Sequence, residues 1–123
     1  MKAYTSLEQS QKLAEILPLE SADHHYVRKT CDFRGNPVDG KWSEPKYGNP
    51  ERANYIVQNF TSYEKLPCWS LAALFNILPS ATLDTSDDHY CRFSCQQRCT
   101  EWHDNPIDAC YEMIIKLNEL KML

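Results

Sequence analysis

Glycine is scarce in this chain, and long apolar runs are missing. The 123 residues include three glycines, all between residues 34 and 50, and no glycine-rich loop that would cradle a phosphate. No apolar stretch approaches the roughly 18 residues of a membrane helix, and the polar start lacks the apolar segment of a secretory signal. Neither a nucleophile-elbow motif nor an HExxH motif occurs. We therefore expect a cytoplasmic protein with no membrane partner.

A strongly basic composition is also absent. The net charge is −4, and even the most basic segment, residues 24–65, carries seven basic against five acidic side chains. Proteins that bind nucleic acids usually show a strongly basic face, because the neutralisation of phosphates drives their affinity. The sequence argues against a nucleic-acid partner, and residues 28–52 are the surface that would make such a contact.

Length and composition are those of one globular domain, residues 1–123. The chain is 42% apolar and 24% charged, which is close to ordinary globular usage. Six cysteines stand at positions 31, 68, 91, 95, 99 and 110. Without an export signal we expect the reducing cytosol, where thiols stay free, rather than three disulfides.

Three helices are predicted. Residues 6–17 follow a capping box formed by Thr5 and Glu8 and end at a proline. Residues 67–78 are apolar nearly all round, which predicts burial at the centre of the core or in a subunit interface. Residues 106–120 follow an Asn-Pro signal that is typical of a helix start.

Three strands complete an α+β fold with a small, mainly antiparallel sheet. We predict them at about 26–33, 54–60 and 89–99, and the last has the clearest alternation of apolar and polar residues. Residues 34–50 lie between the first two and are rich in proline and glycine. Asp39-Gly40 signals a hairpin turn there, so this segment is either a small hairpin or a long surface loop.

A weak internal repeat is indicated by residues 5–33 and 67–99. Each half contains Ile-Leu-Pro, then an acidic residue before His-Tyr or His-His-Tyr, and a cysteine five residues after the tyrosine. Duplication of a helix-strand unit explains this pattern, and so does convergence on common cap and turn chemistry.

Cys91, Cys95 and Cys99 form the densest group of potential metal ligands. On a helix the three thiols would share one face and suit zinc. The alternation around them favours a strand, in which residues four apart are separated by about 13 Å, too far to share an ion. We therefore predict buried core cysteines with no metal and no cofactor, and zinc binding is the alternative. The nearby acidic residues are interpreted as an Asx-rich turn: Asp84, Asp87 and Asp88.

Cys68 stands at the predicted start of the second helix. A helix N-terminus lowers the pKa of a thiol and can create a nucleophile, for which the four histidines are candidate bases, although none has a recognisable spacing. A small buried side chain is the favoured interpretation. No catalytic residue is assigned, and the sequence leaves open whether the protein is an enzyme.

Cations and aromatic residues alternate in the loop rich in glycine and proline. Such a mixture suits contact with a ligand, a peptide or a single-stranded nucleic acid. The alternative is a self-packed loop in which the tryptophan folds back on the core. The candidate binding residues are Arg34, Lys41, Trp42, Lys46 and Tyr47.

Two stretches of the second half resemble a known group of proteins. Leu66-Pro67-Cys68-Trp69-Ser70-Leu71 continuing to Ile77-Leu78-Pro79, and Asn105-Pro106-Ile107-Asp108-Ala109 continuing to Glu112-Met113, are similar to helices of short proteins encoded in gut-bacterial prophages and mobile elements. The resemblance covers residues 66–123. That group has no assigned function, so the resemblance implies an origin but no activity and no site residues.

These observations predict a non-enzymatic cytosolic accessory protein that acts by binding a protein partner or itself. The apolar second helix, the aromatic loop and the lack of a catalytic motif favour this function. The alternative is a thiol-dependent enzyme or zinc protein that uses Cys68 or the set Cys91, Cys95 and Cys99.

Overall fold

A computed structural model describes residues 2–52, 61–78, 81–86, 88 and 90–123. Its α-helices are α1 (Leu7–Ala14), α2 (Leu71–Ile77) and α3 (Pro106–Glu119), with a 3₁₀ turn at Leu19–Ser21. Its strands are β1 (His24–Cys31), β2 (Lys46–Tyr47), β3 (Ser62–Cys68), β4 (Thr82–Thr85), β5 (Cys91–Cys95) and β6 (Arg98–Cys99). The predicted α+β class is confirmed, but the strands form two antiparallel three-stranded sheets, β2-β1-β3 and β4-β5-β6, instead of one.

Helix α1 begins one residue later than predicted and ends at Ala14, three residues before the predicted end at residue 17. Ser6 is the N-cap, and its hydroxyl and the Gln9 side chain form the capping box that we assigned to Thr5 and Glu8. The Thr5 side chain is used elsewhere: its hydroxyl lies 2.7 Å from that of Ser10 and accepts a hydrogen bond from the Trp69 amide at 3.2 Å. Tertiary contacts therefore decide which residue caps the helix.

The first sheet corrects the predicted start of the second helix. Residues Ser62–Cys68 are strand β3, paired along β1 from Ser62 opposite Cys31 to Cys68 opposite His24. Helix α2 begins only at Leu71, after the N-cap Ser70, so Pro67 and Cys68 are strand residues. The strand predicted at 26–33 lies at His24–Cys31, and the one predicted at 54–60 lies outside the described residues.

The second sheet divides the strand predicted at 89–99 into a hairpin. Strand β5 alternates between buried and half-buried residues, and Gln96 and Gln97 turn the chain with φ of 51° and 66°. Cys95 is therefore paired with Arg98 of β6. Strand β4 was not predicted, and it includes Asp84, which we had interpreted as part of a turn.

Helix α3, and not α2, is the centre of the core. Helix α3 is confirmed, with Asn105 as its N-cap, and seven of its residues are buried. In α2 only Ala73 and Leu74 are buried while Phe75 is 36% exposed, so the prediction that α2 is the centre of the core is wrong, and its alternative of a subunit interface stays a prediction. The largest side chains of the core cluster are fully buried: Leu13, Trp69, Leu74, Phe93, Ile107, Met113, Ile114 and Leu117.

The proposed helix-strand repeat places matching residues in matching roles. Ser6 and Ser70 are the N-caps of α1 and α2, and the extended residues before these caps pair with each other, the Thr5 amide donating to the Trp69 carbonyl at 3.0 Å. The duplication itself stays a prediction.

Among the helices of the described residues, none has the length and apolarity to cross a bilayer.

Helix α3 allows a matched test of the core. We expect Ile114→Ala to lower the free energy of unfolding by about 2–5 kcal/mol, because its side chain is fully buried and the substitution leaves a cavity. Leu120→Ala, at the exposed C-cap of the same helix, is expected to change it by less than about 0.5 kcal/mol. Urea denaturation measures both, and equal effects would contradict the placement of the core.

Candidate functional site

The chain after β1 doubles back along that strand, and we call residues 32–47 the ribbon. Its turn is formed by Asp32, whose carboxylate accepts hydrogen bonds from the amides of Arg34 and Asn36. The Val38 amide then donates to the Thr30 carbonyl, and the Ser43 amide donates to the Val27 carbonyl, both at 2.9 Å. Of the two alternatives left open for residues 34–50, a small hairpin or a long surface loop, these contacts favour the hairpin, but its turn lies at 32–36 and not at Asp39-Gly40.

Gly40 meets a different requirement of the ribbon. A Cβ atom at this position would lie 2.4 Å from the Lys29 carbonyl oxygen. The residue must therefore be glycine because the ribbon backbone approaches β1 closely, and not because a hairpin turn needs its conformational freedom.

All five predicted binding residues lie on the ribbon, but they do not form one pocket. Arg34 is in the turn, while Lys46 and Tyr47 pair with His25 and His24 at the other end of β1. Eight strand residues span about 23 Å at 3.3 Å per step. The site is therefore an elongated surface rather than a small cavity.

Trp42 and Tyr47 share one face of this surface. The ring of Tyr47 meets that of His24 edge-on, with the centroids 5.4 Å apart, and the Arg28 guanidinium lies 4.8 Å from the centre of the Trp42 ring. Residues 24 and 28 point to the same side of a strand, whereas Lys46, next to Tyr47, points to the other side. Trp42 packs on Arg28 and is not a member of the core cluster.

Arg28 connects the tryptophan to a carboxylate on the opposite neighbour strand. Its Nε and Nη2 atoms lie 2.7 and 2.6 Å from Oε2 of Glu64 in β3. A guanidinium that faces an aromatic ring and a carboxylate together is held in one orientation. The row Trp42–Arg28–Glu64 therefore fixes the middle of the ribbon against β1.

A polar cluster around Asp23 lies at the start of β1, next to Tyr47. Its carboxylate accepts hydrogen bonds from the Ser70 amide at 3.0 Å and from the Ser70 hydroxyl at 2.5 Å. Nδ1 of His24 lies 2.9 Å from Oδ1 of the same carboxylate. The buried imidazole also contacts Tyr4, with ring centroids 4.6 Å apart.

This cluster contains the residue types of a serine hydrolase in a different order. A hydrolytic triad needs the imidazole between the hydroxyl and the carboxylate so that it can remove the hydroxyl proton. Here the Asp23 carboxylate lies between Ser70 and His24. The arrangement anchors the N-cap of α2 to the start of β1 and does not activate Ser70.

The electrostatics of Asp23 agree with an anchoring role. Burial by itself would raise the pKa of its carboxyl, but the contacts with His24 and Ser70 outweigh burial and hold the pKa below its ordinary value of 3.8. Asp23 is therefore ionised in the folded protein at neutral pH.

Two open clefts meet at Asp23. One, of about 480 Å³, lies between the 3₁₀ turn and residues 47–52 and includes Glu20, Glu51 and Arg52. The other, of about 400 Å³, lies against Asn76 and Ile77 of α2. Within the described part of the chain, no group of three His, Cys, Asp or Glu side chains is arranged to hold a metal ion.

Cys68 lies at the end of β3 in a buried network, and not at a helix N-terminus. Its Sγ is 3.7 Å from both the hydroxyl and the carbonyl oxygen of Thr5, and the Tyr26 hydroxyl donates to that carbonyl at 2.6 Å. Burial raises the pKa of the Cys68 thiol despite the nearby hydroxyl groups. This environment is opposite to that of an activated thiolate.

The cysteines of the second sheet are separated by the hairpin. Cys91 and Cys95 are buried on the core side of β5, whereas Cys99 is exposed on β6, with its Sγ 3.3 Å from the Ser94 hydroxyl. Burial raises the pKa of the Cys95 thiol, and burial together with Cys95 raises that of Cys110 to about 12. The expected extended conformation is confirmed for Cys91–Cys95, whereas the prediction that Cys99 is a buried core cysteine is wrong.

Sequence reasoning missed the residues that organise the surface, namely Asp23, Arg28, Glu64 and Ser70. In the sequence, Asp23 stands out only as the acidic residue before His-His-Tyr in the proposed repeat. Because residues 24, 26 and 28 alternate along a predicted strand, the sequence could have placed Arg28 on the same face as His24. Glu64 had no signal, because its strand was not predicted.

No protein-family model, curated protein or solved structure with which the chain was compared matches it.

The anchoring role of Asp23 predicts a pH-dependent effect on stability. Because its pKa is lower in the folded than in the unfolded chain, ionised Asp23 stabilises the fold above about pH 4, and this contribution is lost as the pH falls through the folded-state pKa. We expect Asp23→Asn to lower the free energy of unfolding by about 1–3 kcal/mol at pH 7, and by much less at pH 3. Urea denaturation at both pH values measures this.

The matched control is Asp39→Asn, since Asp39 is exposed on the ribbon. It is expected to change stability by less than about 0.5 kcal/mol at either pH. An equal loss from Asp23→Asn at pH 3 and pH 7 would contradict the role assigned to the carboxylate.

The cysteine environments predict an order of thiol reactivity. We expect Cys99 to be alkylated by iodoacetamide at pH 8 at least about tenfold faster than Cys68 and Cys110, because reaction needs an accessible thiolate. Mass spectrometry of peptides from a time course measures each site, and Cys99→Ser removes the fast product. Rapid alkylation of Cys68 in the folded protein would contradict this order and favour a thiol enzyme.

Proposed function

We propose that this protein is a non-enzymatic binding protein that recognises an extended, acidic segment of a partner protein along the ribbon. The observation that carries the proposal is the exposure of aromatic side chains there: Tyr47 is 87% and Phe33 is 56% exposed. Aromatic residues and arginine are enriched at the energetic centres of protein interfaces.

The shape of the surface supports an extended partner. The row from Tyr47 to the turn at residues 32–36 follows the length of β1, about 23 Å. A small molecule cannot contact both ends of such a row, whereas about seven residues of extended chain can. The pairing with β1 also holds the ribbon in place, which lowers the entropic cost of binding.

The charges of the surface support an acidic partner. Within the described residues, the exposed ribbon cations Arg34 and Lys41 form no ion pair closer than 4 Å, and Lys29 and Lys46 are likewise unpaired on the side of the sheet opposite Tyr47. Arg34 lies over the ring of its neighbour Phe33, 5.2 Å from the centroid. The exposed carboxylates of the ribbon are Asp39 and Glu44, since Asp32 is used within the turn. Cations therefore remain for a partner's carboxylates.

Selection from a library of random octapeptides displayed on phage tests the proposal. We expect enrichment of sequences that combine acidic and apolar residues. Synthetic peptides from the selection should bind at least about tenfold more weakly to Tyr47→Ser and to Phe33→Ser, as expected when a central aromatic contact is lost. Both side chains are largely exposed, so the variants should keep the fold. Fluorescence anisotropy measures the affinities.

Leu123→Ser provides the matched control, because Leu123 is a half-exposed apolar residue outside the ribbon. This variant should bind the peptides like the original protein. Failure to enrich any peptide, equal binding by Tyr47→Ser, or tighter binding of a thymidine octanucleotide than of every selected peptide would overturn the proposal. The last result would indicate the single-stranded nucleic-acid alternative.

A further inference from the structure

A second candidate site, separate from the ribbon, lies at the start of β5. It is a cleft of about 280 Å³ lined by Ser86, Asp88, Tyr90 and Trp102. The two aromatic side chains are 47% and 44% exposed. The cleft shares no residue with the ribbon or with the Asp23 cluster.

Backbone hydrogen bonds hold the lining of the cleft in place. The Ser86 amide donates to the Tyr90 carbonyl at 2.9 Å, and the Tyr90 amide donates to the Ser86 hydroxyl at 3.1 Å. Next to Trp102, the amides and carbonyls of His103 and Cys91 exchange hydrogen bonds of 2.6 and 2.7 Å. Both aromatic residues therefore flank the bridge between Cys91 and His103, and the cleft is formed before any ligand binds.

The tryptophan of the cleft already contacts one cation of the protein. The Arg92 guanidinium lies 4.6 Å from the centre of the Trp102 ring. Its charge is offset by Asp84 in β4, whose Oδ2 lies 3.3 Å from Arg92 Nε. Asp88 is the charged residue among the described residues of the lining, so the cleft presents a carboxylate and two aromatic rings to a ligand.

We propose that this cleft binds an alkylammonium group, such as the end of a lysine side chain. Cations are attracted to the faces of tryptophan and tyrosine rings, and the Asp88 carboxylate adds an opposite charge. An anion would be repelled by Asp88. An uncharged apolar group would displace water from the Asp88 carboxylate and the Ser86 hydroxyl without replacing the hydrogen bonds that this water makes. A volume below the 300–1,000 Å³ of most small-molecule sites suits a single functional group.

Two-dimensional ¹H–¹⁵N NMR of the full chain tests this site with tetramethylammonium chloride and with N-acetyl-lysine methylamide as probes. We expect the Trp102 indole and the Tyr90 amide signals to shift in a saturable manner, with dissociation constants in the millimolar range. Sodium chloride at matched ionic strength and N-acetyl-glutamate methylamide are expected to cause no saturable shift. The indole signal of Trp69, whose ring is fully buried, serves as an internal reference.

Two variants connect the response to the cleft. Asp88→Asn should weaken binding of both probes at least about threefold, and Trp102→Leu, followed through the Tyr90 amide, should abolish it. Glu101→Gln removes an exposed charge next to Trp102 outside the lining, and it should leave the dissociation constants within about twofold.

Saturation by tetramethylammonium but not by the lysine derivative would assign the site to small quaternary amines rather than to a protein side chain, and would overturn the lysine assignment. Shifts equal to those in sodium chloride, or binding unchanged in both Asp88→Asn and Trp102→Leu, would overturn the site as a whole. Because the ribbon shares no residue with the cleft, these outcomes are independent of the proposed peptide binding.

Discussion

The short extended segment before α1 is clamped against the segment between β3 and α2, and much of the molecule depends on this contact. Thr5 donates its amide to the Trp69 carbonyl and accepts the Trp69 amide on its hydroxyl, while the carbonyl of Thr5 accepts the Tyr26 hydroxyl. The Trp69 ring is fully buried, and its indole donates to the Ser21 hydroxyl at 3.0 Å. Because each of these groups is removed from water, losing one partner leaves the other unsatisfied. The clamp thus joins α1, the first sheet and α2.

Each of the two sheets carries a row in which an arginine lies between a tryptophan and a carboxylate. In the first sheet Arg28 lies between Trp42 and Glu64, and in the second Arg92 lies between Trp102 and Asp84. Each arginine is on the central strand, and each tryptophan follows it on the chain that returns after a hairpin. Such rows hold aromatic rings in fixed orientations near the solvent, which suits recognition by preformed surfaces. Ser6 precedes Arg28 by the same number of residues as Ser70 precedes Arg92, which is consistent with the predicted repeat.

The sequence predicted local features well where the chain carried its own signals. The Asn-Pro start and apolar stripe of α3 are set by neighbouring residues, and the alternation of Cys91, Phe93 and Cys95 was enough to predict a strand with a buried face. It failed at residues 67–70, where Pro67 suggested a helix start. There the pairing of Pro67 with His25 overrides the local preference. The candidate residues of the ribbon were found from composition, but not the fact that Arg34 and Tyr47 lie at opposite ends of β1.

Sequence alone therefore determined the α+β class, the presence of a first helix, the position of α3 and the extended run that buries Cys91 and Cys95, because caps and periodicity act over a few neighbouring residues. Tertiary structure alone decided that the strands divide into two sheets, that Ser6 rather than Thr5 caps α1, and that Glu64 and Asp84 face the two arginines. These features depend on register between residues far apart in the chain. A shift of one residue in that register would move every side chain to the opposite face of the sheet.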